Sequence, residues 1–123
     1  MRINITAGEC LNNILKDKYK DEYFIPFNEA MIEGSYTSRL FSKEFIIERS
    51  NTHNVSEEEY TFKLKGFLNF LENINSYDEV VLWFGDEPFC MANTNAILEI
   101  LKEYEYKGKV EINIVDELTG EIK

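Results

Sequence analysis

The spacing of apolar residues changes along the chain between the pattern of a β-strand and the pattern of an α-helix. The first change occurs within the first fifteen residues. Ile3 and Ile5 flank the polar Asn4, which is the alternation of a β-strand with one face buried. A turn follows at residues 6–8, and apolar residues then recur at helical intervals from residue 11 to residue 15. The chain is thus predicted to open with a strand, a tight turn and a helix.

The second strand is predicted over residues 23–27. Pro26 lies within it, and a proline has no N–H to donate to a neighbouring strand, so this strand is expected at an edge of the sheet. Residues 29–34 are predicted to form its exit loop. Helical spacing then predicts a helix from residue 36 to residue 49, followed by a polar loop over residues 50–55.

A long amphipathic helix is predicted next. Ser56 followed three residues later by Glu59 is a capping-box pattern, which is typical of a helix N-terminus. Phe62 and Phe70 lie off the main apolar stripe and indicate either a second buried face or a partner surface. The stripe itself consists of Tyr60, Leu64, Phe67, Leu68, Leu71 and Ile74.

A strand over residues 78–84 contains five consecutive apolar residues, which favours a central strand covered on both faces. An acidic turn at residues 85–88 ends it, and Pro88 suits the first turn of the helix that follows. That helix carries apolar residues from Ala96 to Tyr104. A last strand is predicted where Val110, Ile112 and Ile114 alternate with polar residues.

This order of elements predicts a single α/β domain over residues 1–123, with a three-layer Rossmann-like fold. Its four-stranded sheet is expected to be mostly parallel, in the order 2-1-3-4, with the proline-bearing strand at one edge and the alternating strand at the other. Ligands of open parallel sheets bind where the strand order reverses. That point lies between the first and third strands.

Composition excludes some classes of function. Acidic residues outnumber basic ones by 23 to 13, and the net charge of -10 repels the phosphates of nucleic acids, so no nucleic-acid partner is expected. No stretch of the chain has the roughly 20 apolar residues that span a bilayer, and no signal-peptide pattern opens it, so we expect a cytoplasmic protein that does not enter a membrane.

Cys10 and Cys90 are the only cysteines, and they lack the spacing of a zinc site or a disulfide framework. Both are expected to be reduced. Each is predicted in the first turn of a helix, where a thiol can become more acidic, but the one histidine, His53, has no evident route to Cys90. Cysteine catalysis is therefore not favoured, no metal site is predicted, and His53 is interpreted as a solvated loop residue.

Polar residues that follow the strands form the candidate ligand site. Because the carboxyl ends of parallel strands meet at one edge of a sheet, side chains after different strands are expected to share one pocket. Three of them also have a structural explanation: Asp86 as a helix cap, Arg49 as the partner of a surface carboxylate, and Cys90 as a small buried residue. The candidate ligand-binding residues are Gly8, Glu9, Glu29, Arg49, Asp86, Cys90 and Asn93.

Residues that suggest other ligand chemistries have simpler explanations. Asp86 and Glu87 could bind a divalent cation, but a capped and solvated turn is favoured. A single glycine after the first strand matches neither dinucleotide nor P-loop motifs, so the sequence identifies no cofactor. Trp83 and Phe84 could stack on a base, although their central strand favours packing in the core.

The segment LWFGDEPFCMANTNAILEIL, from Leu82 to Leu101, resembles the signature of the bacterial domain-of-unknown-function family 1835. In that family an L-W-F strand runs into an acidic turn, an F-C pair and a helix bearing Asn. The segments ITAGEC, FNEAMIEG and FSKEFIIERSN resemble its other regions, so the likeness extends from Ile3 to Ile100. Ser35, Glu87-Pro88 and Met91 depart from the family pattern. The resemblance implies a bacterial or phage protein and this location for a site, but no established activity.

Three functions are considered. The leading one is binding of a small polar ligand, with nucleotide-derived molecules among the candidates: Arg49 would neutralise an anionic group, and Glu29 and Asp86 would accept hydrogen bonds from hydroxyls or amines. Alanine at Arg49 or Asp86 would then abolish binding without unfolding the protein. The alternative is an acidic interaction or inhibitor module that engages a basic protein partner, or a homodimer, through Phe62, Phe70, Tyr104 and Tyr106. The third is a hydrolase or transferase that acts on a nucleotide-like substrate, with Asp86 or Glu29 as general base.

Overall fold

Four strands and five α-helices make up the fold in the computed structural model, which describes residues 1–123. A short 3₁₀ turn at Ile74–Ser76 is the only other helical segment. The strands are β1 (Arg2–Thr6), β2 (Phe24–Pro26), β3 (Glu79–Phe84) and β4 (Lys109–Ile114), and the helices are α1 (Glu9–Lys18), α2 (Lys43–Thr52), α3 (Glu57–Lys63), α4 (Lys65–Glu72) and α5 (Pro88–Glu103).

The strands form one sheet in the order β2-β1-β3-β4, and every pair is parallel. The predicted α/β class and strand order are confirmed, and the sheet is wholly rather than mostly parallel. Pro26 lies on the edge strand β2, where its missing N–H leaves no gap in the ladder. Because β1 and β3 are adjacent and central, their carboxyl ends lie side by side.

Each face of the sheet has its own apolar core, which makes a three-layer α/β/α arrangement. Ile3, Ile5, Leu82 and Phe84 belong to the larger cluster, which includes residues of α2 to α5. The other face packs on α1 and includes Trp83. Trp83 and Phe84 are therefore core residues, as predicted.

Two polar side chains are buried on the α1 side of the sheet, and both are hydrogen-bonded. Asn4 Oδ1 accepts from Trp83 Nε1 at 2.9 Å, and Thr6 Oγ1 lies 2.9 Å from Asn12 Oδ1. A buried polar group without a partner would cost free energy, so these contacts let β1 carry polar residues on its inner surface.

The second helix differs from its prediction at both ends. It begins at Lys43 rather than at residue 36, because Phe41 has the left-handed φ of 59° and Ser42 caps the helix by accepting from Phe45 N at 3.2 Å. Leu40 and Phe41 reach the core from irregular chain, so their helical spacing was misleading. The helix also continues to Thr52, into residues predicted as loop.

The long amphipathic helix is divided in two at Leu64. The predicted cap is confirmed, since Ser56 Oγ accepts from Glu59 N at 3.0 Å. The break directs α4 towards β2, and a Cβ on Gly66 would lie 3.5 Å from the Ile25 side chain. Phe70 is fully buried in the core, whereas Phe62 is 68% exposed. None of these helices has the length and apolar character needed to cross a membrane.

Candidate functional site

A cavity of about 380 Å³ opens at the carboxyl ends of β1 and β2. Its volume lies in the range of small-molecule sites, and six of its twelve lining residues are hydrophobic. The β1–α1 turn, the loop after β2, the end of α2, helix α3 and the start of α5 all contribute to it. The lining residues are Ala7, Gly8, Phe27, Asn28, Glu29, Ala30, Glu33, His53, Val55, Tyr60, Lys63 and Phe89.

The carboxylate of Glu29 is the centre of a buried hydrogen-bond network behind this cavity. Arg49 donates to it twice, from Nε to Oε2 and from Nη2 to Oε1, both at 3.0 Å. Tyr60 donates its hydroxyl to Oε2, Ala30 donates its backbone N–H to Oε1 at 2.7 Å, and His53 Nε2 lies 2.6 Å from Oε1. A carboxylate has about four lone-pair positions. Five donors therefore saturate Glu29.

These contacts keep Glu29 ionised although its side chain is fully buried. Burial by itself raises the pKa of a carboxyl group, but hydrogen bonds from Arg49, Tyr60 and Ala30 outweigh it and lower the pKa of Glu29 below its ordinary value. Burial and the neighbouring carboxylate raise the pKa of Tyr60, so its hydroxyl stays protonated and donates. Glu29 has no position free to take a proton from a substrate, which does not favour its role as general base.

Arg49 stands behind the cavity rather than in its wall. Its side chain is fully buried, and beyond Glu29 it donates from Nη1 to Glu33 O at 2.8 Å and from Nη2 to Ala30 O at 2.9 Å. The guanidinium thus fixes the backbone of the loop after β2. All its contacts point into the protein, so it is not placed to neutralise a ligand.

Asn93 fixes the same loop from α5. Its side chain, fully buried on α5, accepts from Met31 N at 2.9 Å and donates to Glu29 O at 2.8 Å. These two bonds satisfy backbone groups that a loop would otherwise leave unpaired inside the protein. Arg49 and Asn93 therefore position Glu29 and its neighbours.

Gly8 and Glu9 lie at the start of α1. Gly8 lines it with φ at 149°, and no atom lies within 4 Å of where a Cβ would stand, so the backbone here faces open space. Glu9 is outside the wall, and its carboxylate accepts from Asn28 Nδ2 at 3.2 Å. The same Asn28 nitrogen donates to Lys63 O at 3.1 Å, which holds the ends of α1 and α3 together.

Asp86 lies elsewhere, at the carboxyl ends of β3 and β4. It accepts from Lys123 Nζ at 3.2 Å, and it lines a second cavity of about 460 Å³ together with Glu87, Asp116 and Glu117. The predicted site residues therefore do not share one pocket. No group of three or more His, Cys, Asp or Glu side chains is arranged to hold a metal ion.

Cys90 is buried in the larger core, near Gly85 and Glu117. Burial, with the Glu117 carboxylate nearby, raises the pKa of the Cys90 thiol to about 11 in spite of its place in the first turn of α5. The helix N-terminus therefore does not make this thiol more acidic, and a thiol that stays protonated is a poor nucleophile.

We expect only one fast thiol in the folded protein. Cys10 is exposed and should react with an aromatic disulfide reagent at pH 8, whereas Cys90 should react only after denaturation. Counting the released chromophore in native buffer and in guanidinium tests this, and a Cys10→Ser variant should show no fast reaction. Two fast thiols in the native protein would contradict the buried position of Cys90.

Five lining residues with polar side-chain atoms are absent from the predicted site, namely Asn28, Glu33, His53, Tyr60 and Lys63. Tyr60 appeared only as part of an apolar stripe, and His53 was interpreted as a solvated loop residue, whereas its side chain is 20% exposed and contacts Glu29. Glu33 and Lys63 were not singled out at all. One signal in the sequence could have identified His53. It lies four residues after Arg49, and residues four apart share a helix face, but this applies only because α2 extends to Thr52.

In comparisons with known proteins, no family model, no curated protein and no solved structure matches the chain. The resemblance to the domain-of-unknown-function family 1835 therefore stays a prediction from its sequence motifs.

Proposed function

We propose that this domain binds a small polar ligand with an anionic group, nucleotide-derived molecules being among the candidates, in the cavity at the carboxyl ends of β1 and β2. The observation that carries the proposal is the buried network centred on Glu29. Binding sites are concave and contain a few polar groups held in fixed orientations, and this network orients His53, Tyr60 and the loop after β2 at the cavity wall.

The anionic group is assigned to Lys63. Sequence patterns alone favour Arg49 for this role, but its guanidinium already donates to Glu29 and to two backbone carbonyls. Lys63 is the only lysine or arginine that lines the cavity. Gly8 also lines the cavity and lies at the N-terminal end of α1, where the partial positive charge of the helix dipole favours an anion.

The protein-interaction alternative has less support. Of the aromatic residues that suggested it, Phe70 is fully buried and Tyr106 is fixed by a hydrogen bond from its hydroxyl to Tyr77 O at 2.8 Å. Phe62 on α3 and Tyr104 after α5 stay exposed, and each lies near a basic residue, Lys65 and Arg39 respectively. A basic partner would have to displace or accommodate those charges.

Native mass spectrometry tests the proposal directly. Protein purified gently from a lysate of its own type of host should carry an extra mass that disappears under denaturing conditions, and that mass would define the class of ligand. A bare mass under both conditions would contradict the proposal.

Reversing the charge at Lys63 should weaken retention of this ligand about tenfold or more, since hydrogen bonds to charged groups contribute about 1.5–3 kcal/mol each. The measurement is the fraction of native molecules that carry the extra mass in Lys63→Glu. The matched control is Lys65→Glu, which changes a lysine two residues away that does not line the cavity. Equal loss in both variants would point to the overall charge and not to the cavity.

A further inference from the structure

The two ring nitrogens of His53 differ in their contacts: one contacts a protein side chain, and the other has no hydrogen-bond partner. Its Nε2 contacts Glu29, and its ring stacks on Tyr60 with an interplanar angle of 14°. Its Nδ1 makes no hydrogen bond within the protein, and its nearest carboxylate oxygen is Glu33 Oε2, at 3.7 Å. His53 and Glu33 both line the cavity.

The hydrogen bonds of Arg49 decide which nitrogen of His53 carries the proton. Arg49 Nη2 lies 3.2 Å from His53 Nε2, but its two hydrogens are already donated to Glu29 Oε1 and Ala30 O. A guanidinium nitrogen has no further hydrogen to give. Glu29 is an ionised acceptor 2.6 Å from Nε2, so Nε2 must be the donor.

When the imidazole is neutral, the Nε2–H tautomer leaves a lone pair on Nδ1. Nδ1 and Glu33 Oε2 are then two acceptors on the same wall, and neither can donate to the other. At 3.7 Å they are too far apart for a hydrogen bond but close enough to receive two hydrogens from one ligand group. An acceptor pair of this kind selects a ligand by its donors.

We infer that His53 Nδ1 and Glu33 form the specificity element of the cavity and recognise a paired hydrogen-bond donor, either the vicinal hydroxyls of a sugar or a primary ammonium group. This inference rests on the proposed function and names a second part of the ligand, distinct from the anionic group assigned to Lys63. Glu33 suits such a role because its side chain is 62% exposed, so it can move to meet a ligand without disturbing the core.

The tautomer can be tested without any ligand, because His53 is the only histidine and its signals need no assignment by mutation. Long-range ¹H–¹⁵N correlation spectra of the neutral ring should show a protonated Nε2 and an unprotonated Nδ1. The reverse pattern would overturn the inference.

Matched pairs of phosphate compounds test the ligand group by titration calorimetry. AMP should bind about tenfold more tightly than 2′,3′-dideoxy-AMP if the donor is a diol, and phosphoethanolamine about tenfold more tightly than ethyl phosphate if it is an ammonium. The preferred compound should also shift the Nδ1 resonance. Equal affinities within both pairs, or no binding by any of the four, would overturn the inference.

Glu33→Ala should remove the preference within the successful pair, while Glu117→Ala, which changes an acidic residue of the second cavity, should preserve it. Only the side chain of Glu33 is altered, and its backbone oxygen can still accept from Arg49. A preference that survives Glu33→Ala would overturn the inference. The proposed function fails separately, if the protein from lysate carries no extra mass.

Discussion

Replacement of Arg49 by alanine is expected to lower the free energy of unfolding by about 3–5 kcal/mol, the loss found when one partner of a buried ion pair is removed. The physical reason is that Glu29 would keep its charge in the interior without its main partner, while the carbonyls of Ala30 and Glu33 would lose their donor. Urea denaturation followed by circular dichroism measures the change. This replaces the earlier expectation that alanine at Arg49 would abolish binding and leave the fold intact.

Arg39→Ala is the matched control, because Arg39 is mostly exposed and its ion pair with Glu103 spans 3.7 Å. Surface pairs of this kind contribute at most about 1 kcal/mol. A double-mutant cycle with Glu29→Gln and Arg49→Ala should show strong coupling, since both changes act on one network. Similar losses in the Arg39 and Arg49 variants would show that the buried pair has no special energetic role.

Asn93→Leu is expected to destabilise the domain by about 2–4 kcal/mol. Leucine has the same number and branching of side-chain heavy atoms as asparagine, although its methyl groups are bulkier, so the change mainly removes the two hydrogen bonds. Met31 N and Glu29 O would then be buried without partners, and each unsatisfied group costs about 1–3 kcal/mol. Thermal and urea unfolding measure the effect, and weaker ligand retention should accompany it because the loop after β2 loses one of its two supports.

Thr94→Val provides the control from the next position of α5. Thr94 is also buried, but its hydroxyl has no hydrogen-bond partner, so an isosteric methyl group should leave stability unchanged or raise it. A loss at Thr94 as large as that at Asn93 would mean that any change to this part of α5 disturbs the packing. The two bonds of Asn93 would then not explain its effect.

The fold could be predicted because its signals are local and repeat along the chain. Pro26 is excluded from a central strand by its missing N–H, and the apolar run ending at Phe84 requires cover on both faces, so the strand order followed from two residue-level arguments. Helix bounds were harder. Phe41 and Leu64 sit at positions where the chain leaves helical geometry, yet their apolar spacing continues across these points.

The site could be predicted only in part, because it depends on contacts between residues far apart in sequence. Gly8 after β1 and Glu29 after β2 do line one cavity, and Arg49 does reach Glu29. The sequence pattern around Glu29 does not reveal that five donors saturate its carboxylate. Because of these donors, Glu29 is the centre of a structural network and not a ligand contact. Asp86 was grouped with Glu29 because strand ends share an edge, but that edge is wide enough for two separate cavities.

The cavity wall combines a fixed part with a replaceable one. Glu29 and its donors form the fixed part, whereas Glu33, Lys63 and Phe89 are exposed to a large degree and stand at the rim. Substitutions at exposed positions away from special contacts usually change stability by less than about 0.5 kcal/mol. Related domains could therefore change their ligand through mutations at the rim, and each intermediate variant along the way would still fold. Divergent specificities on one conserved scaffold are the evolutionary pattern that this division of labour favours.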